Sequence, residues 1–207
     1  LAIAMENQSL YQAVLSRERQ WSALLDVDLV LNSSRDLGAV LAILAEKAAT
    51  TLGLHVAAVG LVTPEGTVVV DAAYGLPPEA LSALSFNPGE SSEGLCLITG
   101  QPQVITNMQA DPASKFPDLA RQLGLSSLLS VPIVLRDETL GILSVYSQTI
   151  RSFASDETDF LMRLANHAAP AIKNAHHFQE MQRANQQLRD LARHDFLTGL
   201  YNRQFFE

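Results

Sequence analysis

Two pairs of short apolar runs constrain this chain more than any other feature. Residues 55–62 (His55-Val56-Ala57-Ala58-Val59-Gly60-Leu61-Val62) and 67–70 (Thr67-Val68-Val69-Val70) flank Thr63-Pro64-Glu65-Gly66. Ser127–Leu135 and residues 140–146 flank Arg136-Asp137-Glu138-Thr139 in the same way. Such runs are short, rich in β-branched residues and joined by polar turns, so each pair reads as a β-hairpin. Pro132 cannot donate to a ladder, which places an edge or a bulge at that point of its strand. Residues 103–107 form a further expected strand. Between the hairpins, residues 76–124 are punctuated by Gly, Pro and Ser, with short helices expected over 78–84 and 115–123.

Helices precede and follow these strands. Over residues 7–32, Leu10, Ala13, Val14, Trp21, Leu24, Leu25 and Leu31 recur at near-helical spacing between charges. Ser33-Ser34-Arg35-Asp36 supplies N-cap candidates for a second helix that aligns Leu37, Val40, Leu41, Leu44, Ala48 and Leu52, with Gly53 as its stop. A third helix is expected from Ser155 to about residue 194, with Ser155 as N-cap and Asp156, Glu157 and Asp159 favouring its positive end. The fold class is therefore α+β: an antiparallel sheet backed by helices, with long helices at both ends.

The third helix carries a second pattern. Leu161, Leu164, Ala168, Ala171, Ala175 and Phe178 alternate steps of three and four, as in a coiled-coil seam, and Met181, Ala184, Leu188, Leu191 and Asp195 continue it after a stammer. Residues 158–175 fit packing on the chain's own sheet equally well. Beyond residue 181 the apolar stripe is narrow, which suits a two-stranded seam and predicts a homodimer. Pro170 removes one helical hydrogen bond and predicts a kink.

Composition narrows the function classes. The 207 residues are 47% apolar, enough for a real core, and a formal charge of -8 argues against a nucleic-acid partner. The single cysteine, Cys96, excludes an intrachain disulfide and fits a cytoplasmic location. No apolar run approaches the roughly 20 residues of a membrane span, so this stretch is expected to make no membrane contact. Residues 1–5 are too short for a signal-peptide core.

Two resemblances follow from particular stretches. Asp195-Phe196-Leu197-Thr198-Gly199-Leu200-Tyr201-Asn202-Arg203 resembles the D-x-L-T-G-L-x-N-R opening of GGDEF domains, the catalytic domains of diguanylate cyclases. The resemblance implies a parent protein that makes cyclic di-GMP from two GTP, with every catalytic element lying beyond Glu207, so that residues 1–207 carry no catalytic residue and turn over no GTP. Phe86-Asn87-Pro88-Gly89-Glu90 with Gly94, Thr99-Gly100-Gln101-Pro102 with Ile105-Thr106-Asn107, the hairpin from Ser127 to Val145, and Phe153 with Asp156 together resemble a GAF domain. GAF domains commonly bind a small molecule between the sheet and the mid-chain loops. The implied organisation is an N-terminal helix over 1–33, a GAF sensory domain over 34–165, a coiled-coil signalling helix over 166–194 and the start of a GGDEF domain over 195–207.

That resemblance frames the candidate ligand-binding residues. Glu93, Asn107, Asp111 and Ser130 are candidates to orient polar groups, and Tyr74, Phe86, Phe116 and Tyr146 to supply apolar walls. Cys96 sits in the same expected wall. Bilin-binding relatives attach their pigment through a cysteine with a neighbouring histidine, and Cys96-Leu97 lacks one. Methionine-sulfoxide-reducing relatives need several thiols, and Cys96 has no resolving partner. The plain reading of Cys96 is a small buried hydrophobe. His176 and His177 point about 100° apart on a helix, and His55, His167 and His194 stand alone, so haem and metal binding are disfavoured. Cyclic-nucleotide-binding relatives carry Asn-Lys, where Asn107 is followed here by Met108. The sequence names no cofactor and leaves the small molecule unidentified. Expected overall is a sensory domain that controls cyclic di-GMP synthesis through a dimeric coiled coil; the alternative is an unliganded GAF domain serving only to dimerise.

Overall fold

The computed structural model describes residues 36–193 apart from 82–83, 92 and 113–114, with side chains described as far as Gln186. The helix expected over 7–32 and the closing stretch 195–207 lie outside the described residues.

Helix α1 (Leu37–Thr51) begins where Asp36 accepts a hydrogen bond from the Gly38 N–H at 3.0 Å, so the cap is the last of the four candidates. At its other end Gly53, at φ 66°, lets the Gly53 N–H reach Thr50 O and the Leu54 N–H reach Ala49 O. That pair of bonds is a Schellman closure, which needs a left-handed residue at its corner.

Strands β1 (Val56–Val62) and β2 (Val68–Tyr74) form the first hairpin, followed by α2 (Pro78–Leu81), β3 (Ser85–Phe86), α3 (Leu95–Thr99), β4 (Gln103–Ile105) and α4 (Pro117–Gln122). The second hairpin is β5 (Ser127–Leu135) and β6 (Glu138–Ser147), and α5 (Ser155–Arg193) closes the described chain. The strands make one antiparallel sheet in the order β3-β2-β1-β6-β5-β4. The central β1–β6 pair joins the two hairpins. Pro132 sits beyond the reach of β4, which pairs only with residues 128–130, and beside a register shift at Ile133/Val134. Both expectations for that proline hold at once.

Alternation along the strands divides the sheet into two faces. Ala57, Val59, Leu129, Val131, Ile133, Leu143 and Val145 point to one side, where α1 and α5 cover them in the main core. From α1 come Val40, Leu41, Leu44, Ala45 and Ala48; from α5 come Leu161, Leu164, Ala168 and Ile172, all at 2% exposure or less. Each buried leucine contributes on the order of 2 kcal/mol of transfer free energy. Leu161, Leu164, Ala168 and Ala175, four positions of the expected seam, are therefore covered by the chain's own sheet and α1, and are not free to meet a second helix. From Met181 to Gln186 every side chain is exposed.

Ser155 is not the cap of α5 but its first residue. The N–H of the preceding Ala154 donates to Glu157 Oε2 at 2.8 Å, and Arg151 pairs with the same carboxylate. Glu157 thereby satisfies one backbone donor and one cation at the helix's positive end. The helix runs through Pro170 to Arg193.

Candidate ligand pocket

The opposite face of the sheet is not covered by long helices. Val56, Ala58, Gly60, Leu128, Ser130, Ile142, Ser144 and Tyr146 share it by register, Val56 opposite Tyr146, Ala58 opposite Ser144, and Gly60 opposite Ile142. Two small apolar clusters sit on it. One gathers Val68, Phe86, Cys96 and Ile142; the other gathers Val56, Met108, Ala120, Leu125 and Leu128. Between them lies a cavity of about 40 Å³. A water needs roughly 10–15 Å³ on this measure, so the cavity admits about three.

Short segments form its roof. Helix α4 ends in a second Schellman closure, with Gly124 at φ 67°, the Gly124 N–H on Arg121 O and the Leu125 N–H on Ala120 O at 2.8 Å. This turn brings Leu125 back beside Ala120, so both line the cavity with Leu119 and Leu123. The loop after β3 brings Glu93. Its Gly94 approaches Pro88 so closely that a Cβ there would stand 2.5 Å from the Pro88 carbonyl oxygen. At the rim Lys115 pairs with Glu90, which also accepts from Asn87 Nδ2 at 2.9 Å, while Thr67 Oγ1 donates to Asn87 Oδ1 at 3.1 Å. The Lys115 ammonium, and then Asn87, hold the Glu90 carboxyl down to about 2.

The cavity wall is apolar except for Glu93, Ser144 and Tyr146. The Tyr146 hydroxyl lies 3.4 Å from Glu93 Oε1. Desolvation pushes the Glu93 carboxyl up to about 7; the Tyr146 hydroxyl opposes this and the charge of Asp111 adds to it. Burial, and then the nearby Glu93 charge, raise the Tyr146 phenol well above its ordinary value. Ser144 in the wall is hydrogen-bonded through its hydroxyl to that of Ser130, which is buried behind it.

Of the residues expected at the site, Phe86, Glu93, Phe116 and Tyr146 line the cavity, and Ser130 reaches it only through Ser144. Tyr74 does not. Strand β2 extends four residues beyond the expected Val70, and Tyr74 pairs with Ala57, which places it on the helix-side face at 37% exposure. Asn107 does not either: its Oδ1 accepts from the Gln109 N–H at 3.1 Å and shapes the turn after β4. Asp111 acts on Glu93 electrostatically from outside the wall. Cys96 is fully buried beneath the cavity, and burial, then Glu93, push its thiol up to about 12. A thiol so held is protonated at neutral pH and is a hydrophobe rather than a nucleophile. Sequence reasoning missed Ser144, Ile142 and Met108. The alternation of β6 through Tyr146 carried the signal for the first two. Among the described residues no three His, Cys, Asp or Glu side chains gather as a metal site, and no helix is long and apolar enough to cross a membrane.

The described residues thus form an antiparallel sheet with helices on one face and a loop-roofed pocket on the other. The chain matches the family model described as GAF domain over residues 34–173, and it belongs to that family. It is similar to the Nif-specific regulatory proteins of Azospirillum lipoferum, at 28% identity over 75% of this chain and 26% of the relative, and of Azospirillum brasilense, at 32% identity over 58% of this chain and 20% of the relative. The chain thus spans about a quarter or less of these curated relatives. The GAF domain from an Acinetobacter phosphoenolpyruvate-protein phosphotransferase has the same fold, with a TM-score of 0.67 at 22% identity, covering 78% of this chain and 97% of that one.

Proposed function

We propose that this GAF domain is the sensory region of a diguanylate cyclase. In this reading a small molecule enters the pocket on one face of the sheet, and α5, on the other face, carries the change to an output domain beginning near Asp195. The observation that carries the proposal is the course of α5: it packs in the core through Ala175 and then leaves it as one helix to Arg193, next to the GGDEF-like stretch. Similarity to regulatory proteins supports a regulatory role. The output reaction rests on residues 195–203 alone, and since GTP is a cytoplasmic substrate, the reading puts the domain in the cytoplasm.

Two output domains, each holding one GTP, must face each other for the reaction, so the parent is a homodimer whose exiting helices set their orientation. A ligand shifts that orientation only through its different affinity for the two states. The test is phase dependence. Seven residues inserted after Gln187 in the full-length parent keep the heptad face and leave regulated cyclic di-GMP synthesis intact; three or four rotate the output domains and lock activity on or off. If all three insertions behave like the unaltered protein, the helix is a passive tether and the mechanism is wrong.

A second reading, a GAF domain that only dimerises, draws on the small cavity. It differs in one outcome: no small molecule shifts pocket resonances at any concentration.

A further inference from the structure

The pocket's charge is one-sided. Among the described residues that line it, the one ionisable carboxylate is Glu93, and no Lys, Arg or His joins it. Lys115, the cation at the rim, is held by Glu90. An anionic ligand entering this cavity meets a carboxyl group at its wall, and the cation beside Phe116, Lys115, is already paired with Glu90. A cationic nitrogen meets the reverse. The Tyr146 hydroxyl is 3.4 Å from Glu93 Oε1, longer than the usual 2.7–2.8 Å of such a bond, so the pair is loosely closed. The phenol proton stays on the Glu93 side, and the oxygen, already hydrogen-bonded to the Ser144 hydroxyl, keeps one further lone pair for a donor. The Phe86 ring stands in the same wall, and ring faces attract cations; the Phe116 ring beside it already has the Lys115 ammonium 5.9 Å from its centroid.

Resting on the reading of this cavity as a ligand site, we infer that its ligand is a small primary amine: the ammonium group binds Glu93 and Tyr146, and a short apolar tail lies among Phe86, Phe116 and Ile142. The size of the cavity limits the tail. Space for about three waters accommodates an alkyl chain of a few carbons, and a longer one must displace α4 from above.

Protonation gives the inference a signature. The groups facing Glu93 are Tyr146 from β6, Cys96 from α3 and Asp111 from the loop after β4; the first two stay neutral through the neutral range, which leaves Glu93 itself to titrate. Its carboxyl ionises near pH 7. An alkylamine, with a pKa near that of lysine at about 10.4, is a cation throughout. Affinity therefore falls as pH drops through 7, by up to about tenfold per unit below it.

The experiment is a methyl-resonance titration of the 207-residue chain with ethylamine, n-propylamine and n-butylamine, and with the matched alcohols and carboxylates. The Met108, Ala58 and Ala120 methyls report on the pocket. Expected is saturable binding of the amines alone, weakened at least tenfold by Glu93→Gln, and weakened from pH 8 to pH 6 in the unaltered chain. Tyr146→Phe, which keeps the ring, weakens it less. Should Glu93→Gln fail to fold, the pH dependence of the unaltered chain decides. Binding of alcohols or carboxylates in preference to amines, or amine binding indifferent to pH, overturns the inference and leaves the pocket a ligand site of another kind. Silence of the pocket methyls toward all three series overturns both.

Discussion

Tyr146 and Glu93 stand 53 residues apart in the chain, yet the phenol hydroxyl of one lies 3.4 Å from the carboxylate of the other across an apolar cavity. The strand register fixes Tyr146, and the tight loop before α3 fixes Glu93. The contact ties the pocket roof to the centre of the sheet.

The first consequence is a pH dependence of stability. Glu93 titrates near 4.5 when unfolded and at about 7 when folded, so between those values the folded state holds a proton that the unfolded state has released. Stability therefore falls as pH rises through that window. Denaturant unfolding at pH 5 and pH 8 should show a Glu93-dependent loss on the order of 2–3 kcal/mol. Glu93→Gln should remove that part of the slope. A variant with the same slope as the unaltered chain would falsify the burial argument.

Gly94→Ala should distort the loop that presents Glu93. The new Cβ stands 2.5 Å from the oxygen and 2.9 Å from the carbonyl carbon of Pro88, backbone atoms that cannot rotate away. The expected cost is about 1–3 kcal/mol, as for overpacking elsewhere. Thermal melting checks it, and an unchanged midpoint argues against the close approach.

Leu164→Ala tests the course of α5. Leu164 is fully buried between α1 and the sheet, so its truncation should lower stability by about 2–5 kcal/mol. The urea midpoint of the 207-residue chain reads this directly. A loss below about 0.5 kcal/mol, the range of surface changes, would mean that the helix does not pack there.

Assembly is the fourth expectation. With Leu161, Leu164, Ala168 and Ala175 buried within one chain, the seam narrows to positions after Phe178, including Leu188 and Leu191. Sedimentation should give a dimer at micromolar concentration, and Leu188→Asp with Leu191→Asp should give a monomer. A monomeric unaltered chain rules the seam out.

The hairpins were legible because period-two apolar runs and polar turns are local signals, and so were the Asp36 and Gly53 ends of α1. The pocket was less so. Phe86, Glu93, Phe116 and Tyr146 come together through strand register and through turns at Gly94 and Gly124, which no local periodicity encodes. Tyr74 went astray for a related reason: a bulge at Val59/Gly60 changes which residues of β2 face the helices, and nothing in residues 68–74 announces it. From Leu161 to Ala175 the seam is a helical stripe, as expected, but a stripe does not say whether its partner is a sheet or a second helix. Cys96 shows the converse: its place between Leu95 and Leu97, with no second cysteine in the chain, was enough to suggest a small buried hydrophobe.

The alternation of β6 has a last consequence. Ile142, Ser144 and Tyr146 look into the pocket, and Leu143 and Val145, their immediate neighbours, bear on the helix side. The recognition surface and the surface that carries α5 are thus interleaved letters of one short segment. Remodelling the pocket for another molecule changes side chains bonded one peptide away from those that seat the helix. Specificity and output are inherited together, and a transplant of this sensing surface onto another protein has to take the strand whole.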